Sequence, residues 1–261
     1  MDAHEGQVAS LDDRDDHEVE DEDDDVRDDG EAPGTPPDHG ASASVSAEAE
    51  LDSRFVFRGL ALSRGAVLAP SLWATAYGTT ASLWANATLD DELGNGKHVR
   101  AIVPSIVHTL QWGHWAIEPG LFVYASPADS DAQATSEASL ELSVQLGAVR
   151  LRSDTKVDVR SHRGAYFGAF GARYERASGR WTLDVSGELG WGSRSFHRAY
   201  FDVDVAAFDV IEAGLAVRYQ LSRVFYLTLH TELSTLVARS LQASVEEPTL
   251  MHGGTALGLE L

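Results

Sequence analysis

The densest chemistry in this chain lies in one short stretch, where Arg150, Arg152, Asp154, Lys156, Asp158 and Arg160 recur at every second position. Just before them Glu137 and Glu141 keep the same spacing. A period of two gathers side chains on one face of a β-strand, whereas a helix would spread them round its circumference. Opposite charges on adjacent strands can pair and hold a narrow interior closed. Alternatively, a basic strand facing acids forms a constriction that orients a small polar or charged solute. The same inward set is expected to include Glu118, Arg173, Asp184, Glu188, Glu212, Arg218, His230, Glu232 and Glu260.

Other chemistries find no footing. The chain has no cysteine, which excludes disulfides, thiolate metal sites and thiol nucleophiles. Gly96-Lys97-His98 has the look of a phosphate loop, but His98 replaces the required Ser or Thr and Asp91 stands where the first glycine belongs. Neither a Gly-x-Ser-x-Gly elbow nor a His-Glu-x-x-His helix occurs. Lipid hydrolysis would need Ser, His and Asn or Asp near the membrane-facing side. The outward phases are instead nearly all apolar, with His230 and Glu232 on the inward one. No catalytic residue, cofactor, metal site or nucleic-acid partner is expected.

The elements that carry the charged set are strands with one apolar face. Ala138, Leu140, Leu142, Val144 and Leu146 alternate with Glu137, Ser139, Glu141, Ser143 and Gln145. After Gly147-Ala148 the pattern restarts, with Val149, Leu151, Val157 and Val159 opposing the charged phase. Strands about ten residues long with a full charged face suit a transmembrane β-barrel, whose apolar side chains meet lipid while polar ones line the interior. No apolar run approaches the ~20 residues of a membrane helix. Strands are expected near 54–62, 67–77, 80–89, 99–112, 115–126, 137–146, 149–159, 165–176, 180–191, 209–221, 224–237 and 253–261. That makes about twelve, and connections alternate between short and long, as in bacterial single-chain barrels. Aromatics near strand ends, among them Trp73, Tyr77, Trp112, Trp115, Tyr124, Tyr166, Trp181, Trp191, Tyr219 and Phe225, suit belts at both membrane interfaces.

Charge separates a tail from this barrel. The formal charge of −21 comes mostly from the first fifty residues, with runs such as Asp21 to Asp25 and with Pro33, Pro36 and Pro37. Residues 1–52 are therefore expected to be a disordered acidic tail, and residues 53–261 the barrel. His4, His17 and His39 could hold divalent cations weakly, although a solvated tail is the plainer reading. Met1 is followed by Asp2, Ala3, His4 and Glu5, with neither a basic start nor an apolar segment. An exported protein is then expected to stand here in a processed or mis-started form.

The segment Phe55-Val-Phe-Arg-Gly-Leu60, followed by Ser63, Gly65, Leu68, Pro70, Gly78 and Leu83-Trp-Ala-Asn86, resembles the opening of a family of uncharacterised Gram-negative outer-membrane barrels. Those begin with an aromatic strand ending in Arg-Gly-Ile/Leu, a glycine turn, a Pro-containing strand and a Trp-Asn strand. Thr255, Leu257, Leu259 and Leu261 are similar to the C-terminal signal read by the barrel assembly machinery. The resemblance implies an outer-membrane location, contact with lipid and help from that machinery during biogenesis. It brings no known ligand or catalytic set. The expected fold is thus all-β, a single up-and-down antiparallel barrel of about twelve strands behind a tail. The expected role is a small channel for small polar or charged solutes; the alternative is a plugged structural barrel whose loops or tail bind a partner.

Overall fold

Alternation of apolar and polar residues resolves, in a computed structural model, into long antiparallel strands over residues 43–90, 98–127 and 134–261, which are the residues described. The barrel wall is built from β1 (Ser44–Asp52), β4 (Val67–Ala76), β5 (Thr79–Thr88), β6 (Val99–His108), β8 (Trp115–Tyr124), β9 (Thr135–Leu146), β10 (Val149–Asp158), β11 (Tyr166–Ser178), β12 (Trp181–Gly192), β13 (Ala207–Gln220), β14 (Phe225–Leu236) and β15 (Thr249–Glu260). The short β7 (Leu110–Trp112) continues β6 past Thr109. Neighbours pair in sequence order, and β6 pairs with β8 through Ser105↔Phe122, Ile106↔Leu121 and Val107↔Gly120. The other seam lies at β1, which bonds to β4 on one side and to the last strand, β15, on the other. The result is a closed barrel of twelve strands.

Tight turns such as Tyr77-Gly78, Gly113-His114 and Gly147-Ala148 close one end, where β1 starts and β15 finishes. In an outer-membrane barrel that end faces the periplasm, and the longer connections lie outside. Those connections carry a two-stranded hairpin, β2 (Val56–Phe57) with β3 (Leu60–Ala61), and two short helices, α1 (Arg194–Phe201) and α2 (Arg239–Gln242). Helix α1 is capped by Ser193, whose hydroxyl accepts from the Phe196 N–H at 3.2 Å.

The outward phase is apolar and exposed: Leu140 and Leu142 on β9, Leu183 and Val185 on β12, Leu227 and Leu229 on β14. Trp181 packs against Tyr219 with ring centroids 4.5 Å apart near the turn end, and Tyr166 against Trp191 at 4.5 Å near the loop end. These are the two interfacial belts. Two expected belt residues depart from it. Tyr124 packs on Phe57 of the hairpin, and Trp73 shares the phase of its cross-strand partner Ser46. An arginine on the lipid face tests this orientation. Leu140→Arg, mid-strand, should cost about 2–4 kcal/mol of folding free energy in lipid vesicles, while Leu146→Arg, beside a turn, should cost about 0–1 kcal/mol. Equal costs at the two positions would contradict the placement.

One expected strand is corrected. The first wall strand is Ser44–Asp52, and residues 54–62 leave the wall. The barrel thus starts within the stretch assigned to the tail, while residues 1–42 lie outside the described residues. The two errors have separate causes. Glu48, Glu50 and Asp52 continue the acidity of the preceding residues, yet alternate with Val45, Ala47, Ala49 and Leu51 as an inward phase does. The aromatic run after them is as apolar as a wall strand because it is buried by folding inward.

Candidate functional site

Strand register determines which charged groups meet inside the barrel. Between β9 and β10 it sets Glu141 opposite Asp154, Ser139 opposite Lys156 and Ser143 opposite Arg152. Lys156 Nζ stands 3.0 Å from Asp154 on its own strand and 5.5 Å from the Phe122 ring centre. Arg150 lies on the same phase, beside Gln145 and Arg173. Arg152 bonds to Glu188 on β12, and Arg173 bonds to Asp184. Arg218 stacks on Tyr226 at 4.2 Å and reaches Glu260 at 3.5 Å. Glu118 accepts the Thr109 hydroxyl at 2.7 Å. Arg152, Arg173, Asp184, Glu188, Glu212 and Glu232 border a cavity of about 180 Å³.

Three residues of the expected set are placed elsewhere. Asp158 is buried at the loop end, where it accepts the Thr135 hydroxyl at 2.5 Å and the backbone N–H groups of Arg160 and His162 at 2.8 and 3.1 Å. Arg160 itself lies beyond β10 and is exposed, because Asp158 turns the chain before the alternation can continue. Glu137 is buried under a residue that the strand pattern did not single out, Arg58.

That residue sits at the tip of the β2–β3 hairpin. Its turn is Arg58-Gly59, with φ of +50° and +81°, and positive φ at both central residues is what a type I′ turn requires. Glycine at the second position answers a further need: a Cβ there would stand 2.8 Å from Leu236 Cδ2 and 3.1 Å from Val210 Cγ2. The hairpin therefore presses against β13 and β14. From the same tip Arg58 reaches toward the opposite wall, donating Nη1 to Glu137 Oε1 at 2.9 Å and Nη2 to Oε2 at 2.7 Å. The two side chains are 7% and 4% exposed. Such a fork-to-fork pair is among the stronger polar contacts available to a protein. Burial pulls the guanidinium pKa down, but the Glu137 bonds outweigh it and leave Arg58 above its ordinary value.

Aromatic rings surround the ion pair. The Arg58 guanidinium lies 4.6 Å from the Phe57 ring centre, 4.5 Å from Phe167 and 5.4 Å from Phe196 of α1. Phe196 in turn packs on Phe167 at 5.3 Å and on Tyr200 at 4.7 Å. Burial, with Glu137 nearby, pushes the Tyr200 phenol up to about 12, so it is neutral at physiological pH. Phe167, Phe196, Phe201, Val210, Leu236 and Leu241 form one buried cluster, with Leu60 of the hairpin packed against it. The buried apolar cluster of the described residues thus lies at the loop end of the barrel, and the charged cavity lies on the turn side of it.

The strand pattern also missed Glu48, Glu50, Asp52, Glu175 and His252, all on inward phases. For the first three the period-two alternation with Val45, Ala47, Ala49 and Leu51 was the available signal. For Arg58 the signal was an Arg-Gly pair between short apolar dipeptides, which is a hairpin signature as much as a strand end.

Among solved structures, an outer-membrane channel of Pseudomonas putida F1 is similar with a TM-score of 0.54 at 10% identity, covering 88% of this chain and 99% of that one. The NanC porin follows at a TM-score of 0.48 and 11% identity, covering 84% and 98%. An outer-membrane phospholipase of Salmonella typhi follows at 0.46 and 11%, covering 82% and 90%. At these identities the first shows the fold alone. No curated protein sequence matches the chain. The closed twelve-strand barrel, with its apolar outward phase, places the protein in the bacterial outer membrane. The family model that does match spans residues 53–244, and so takes in the whole hairpin and most of the wall; the chain belongs to the MltA-interacting protein MipA family.

Proposed function

We propose that the protein is a plugged, non-enzymatic outer-membrane barrel that docks a partner, and that the partner is MltA, from which its family takes its name. The observation that carries this reading is the hairpin, bonded through Arg58 to Glu137 and packed under α1 in a dry apolar cluster. An interior closed by buried apolar packing is costly to open, which suits a rigid platform better than a free passage. The barrel assembly machinery is the proposed partner during biogenesis, through β15.

Co-isolation tests the docking. The full chain, tagged and extracted from its native outer membrane in mild detergent after brief cross-linking, should bring MltA with it. An unrelated barrel of similar abundance should not. Equal recovery of MltA with both barrels, or none with either, would contradict the proposal.

A second reading, passage of small polar or charged solutes, is favoured by the charged cavity of about 180 Å³ on the turn side of the plug. It requires the hairpin to leave the mouth.

A further inference from the structure

Glu50 and Asp52 of β1 and His230 of β14 bring one ligand atom each to within 4.8 Å of one another inside the barrel. His230 Nε2 lies 2.8 Å from Asp52 Oδ1 and 3.3 Å from Glu50 Oε1. Between the two strands runs β15, which presents Gly254 at this level, opposite both Asp52 and His230. A Cβ at Gly254 would collide with the Asp52 carboxylate and stand 3.0 Å from His230 Cε1. The wall is notched where side chains from its two neighbours converge.

A second observation points to a missing ligand. His252, the next inward residue of β15, has both ring nitrogens buried and without a hydrogen-bond partner among the described residues. Its nearest acid is Glu232, with 3.6 Å from Nε2 to Oε1, beyond hydrogen-bond range. A buried imidazole with neither nitrogen satisfied is expensive. It therefore needs a partner of some kind.

We propose that Glu50, Asp52 and His230 form a site for a divalent transition metal of the zinc class, and that His252, whose nitrogens stand outside that 4.8 Å group, turns in as its fourth ligand. Imidazole with carboxylate is a donor set that suits zinc better than calcium or magnesium, which prefer oxygen alone. Ligand atoms round a tetrahedral zinc stand about 3.4 Å apart, given bonds of about 2.0–2.2 Å, so small side-chain rotations close the observed group on an ion. Binding needs the lone pair of His230 Nε2, so a proton held between that nitrogen and Asp52 must leave it, to Nδ1 or to solvent. The metal sits at the seam where the first strand meets the last, and so clips β1 to the C-terminal hairpin. This goes beyond the docking role and does not depend on it. No metal site was expected from the sequence, because Glu50 and Asp52 read as tail.

Cobalt titration of the full chain, refolded in detergent, tests the site, with zinc competition and a heat-shift gel as readouts. Wild type should take up one tightly held Co²⁺ with a visible ligand-field band that Zn²⁺ abolishes. Its unfolding temperature should fall on chelation and recover with Zn²⁺. His230→Gln and Asp52→Asn should lose both responses while still migrating as folded barrels. His252→Gln removes a ring that makes no hydrogen bond, so it tests the site even where the other variants fold poorly; it should weaken or abolish the band. A wild-type chain without the band would overturn the proposal. So would a band unchanged in the folded variants, which would assign the metal to other histidines such as His4, His17 and His39.

Discussion

Arg58→Ala is expected to lower the free energy holding the hairpin in the mouth by about 3–5 kcal/mol, because it strands Glu137 as a buried, unpaired carboxylate. The loss should appear as faster hydrogen exchange across β2 and β3 and as new protease cleavage near the tip, with the wall strands unchanged. Arg58→Lys keeps the charge but not the planar fork, and should fall between wild type and Arg58→Ala. The informative companion is the double variant Arg58→Met with Glu137→Leu. Removing both charges leaves no desolvated ion, and such replacements are often neutral or stabilising by about 1–4 kcal/mol. Protection should therefore return in the double variant. Similar protection in wild type and Arg58→Ala would mean that the aromatic packing alone holds the hairpin.

The second large effect concerns what the plug keeps shut. Replacing residues 56–61 with a Gly-Ser spacer removes the Arg58 bridge and the Leu60 contact together, and should convert a silent barrel into one with discrete openings. Acids outnumber bases on the inward phases, and Arg152 and Arg173 are already engaged with Glu188 and Asp184. The opened barrel should then favour cations. Adding Arg152→Ala and Arg173→Ala to the spacer variant frees both carboxylates and should shift the reversal potential further toward cations. Adding Glu188→Gln and Glu212→Gln instead should shift it the other way. Gly59→Val offers a milder opening, since it combines a disfavoured φ with a clash on Leu236.

The wall was legible in the sequence wherever lipid and lumen pull opposite ways. On β9 and β10 the leucines and valines face one medium and the charges another, so Ser136 to Asp158 could be placed residue by residue. At β1 the same rule held but was masked, because its inward acids follow an acidic stretch and its outward phase is diluted by the small residues Ala47 and Ala49. The inward fold of the hairpin was not legible. Phe55, Phe57 and Leu60 are apolar because they are buried, and burial against lipid and burial inside a mouth leave the same mark on a strand-length segment. Only the long-range bond from Arg58 to Glu137, 79 residues away in sequence, distinguishes them, and spacing along the chain does not report it. Arg160 shows the opposite error. Its place in the alternation carried the inward set two residues past Asp158, which captures the following backbone N–H groups.

The most direct measurement is the conductance of the full-length chain in a planar bilayer, set beside the 56–61 spacer variant under the same voltage and salt. A silent wild type and discrete, cation-selective openings in the variant are the predicted pair. Frequent openings in the wild type, with the same size and selectivity as in the variant, would contradict a mouth closed by the Arg58 hairpin.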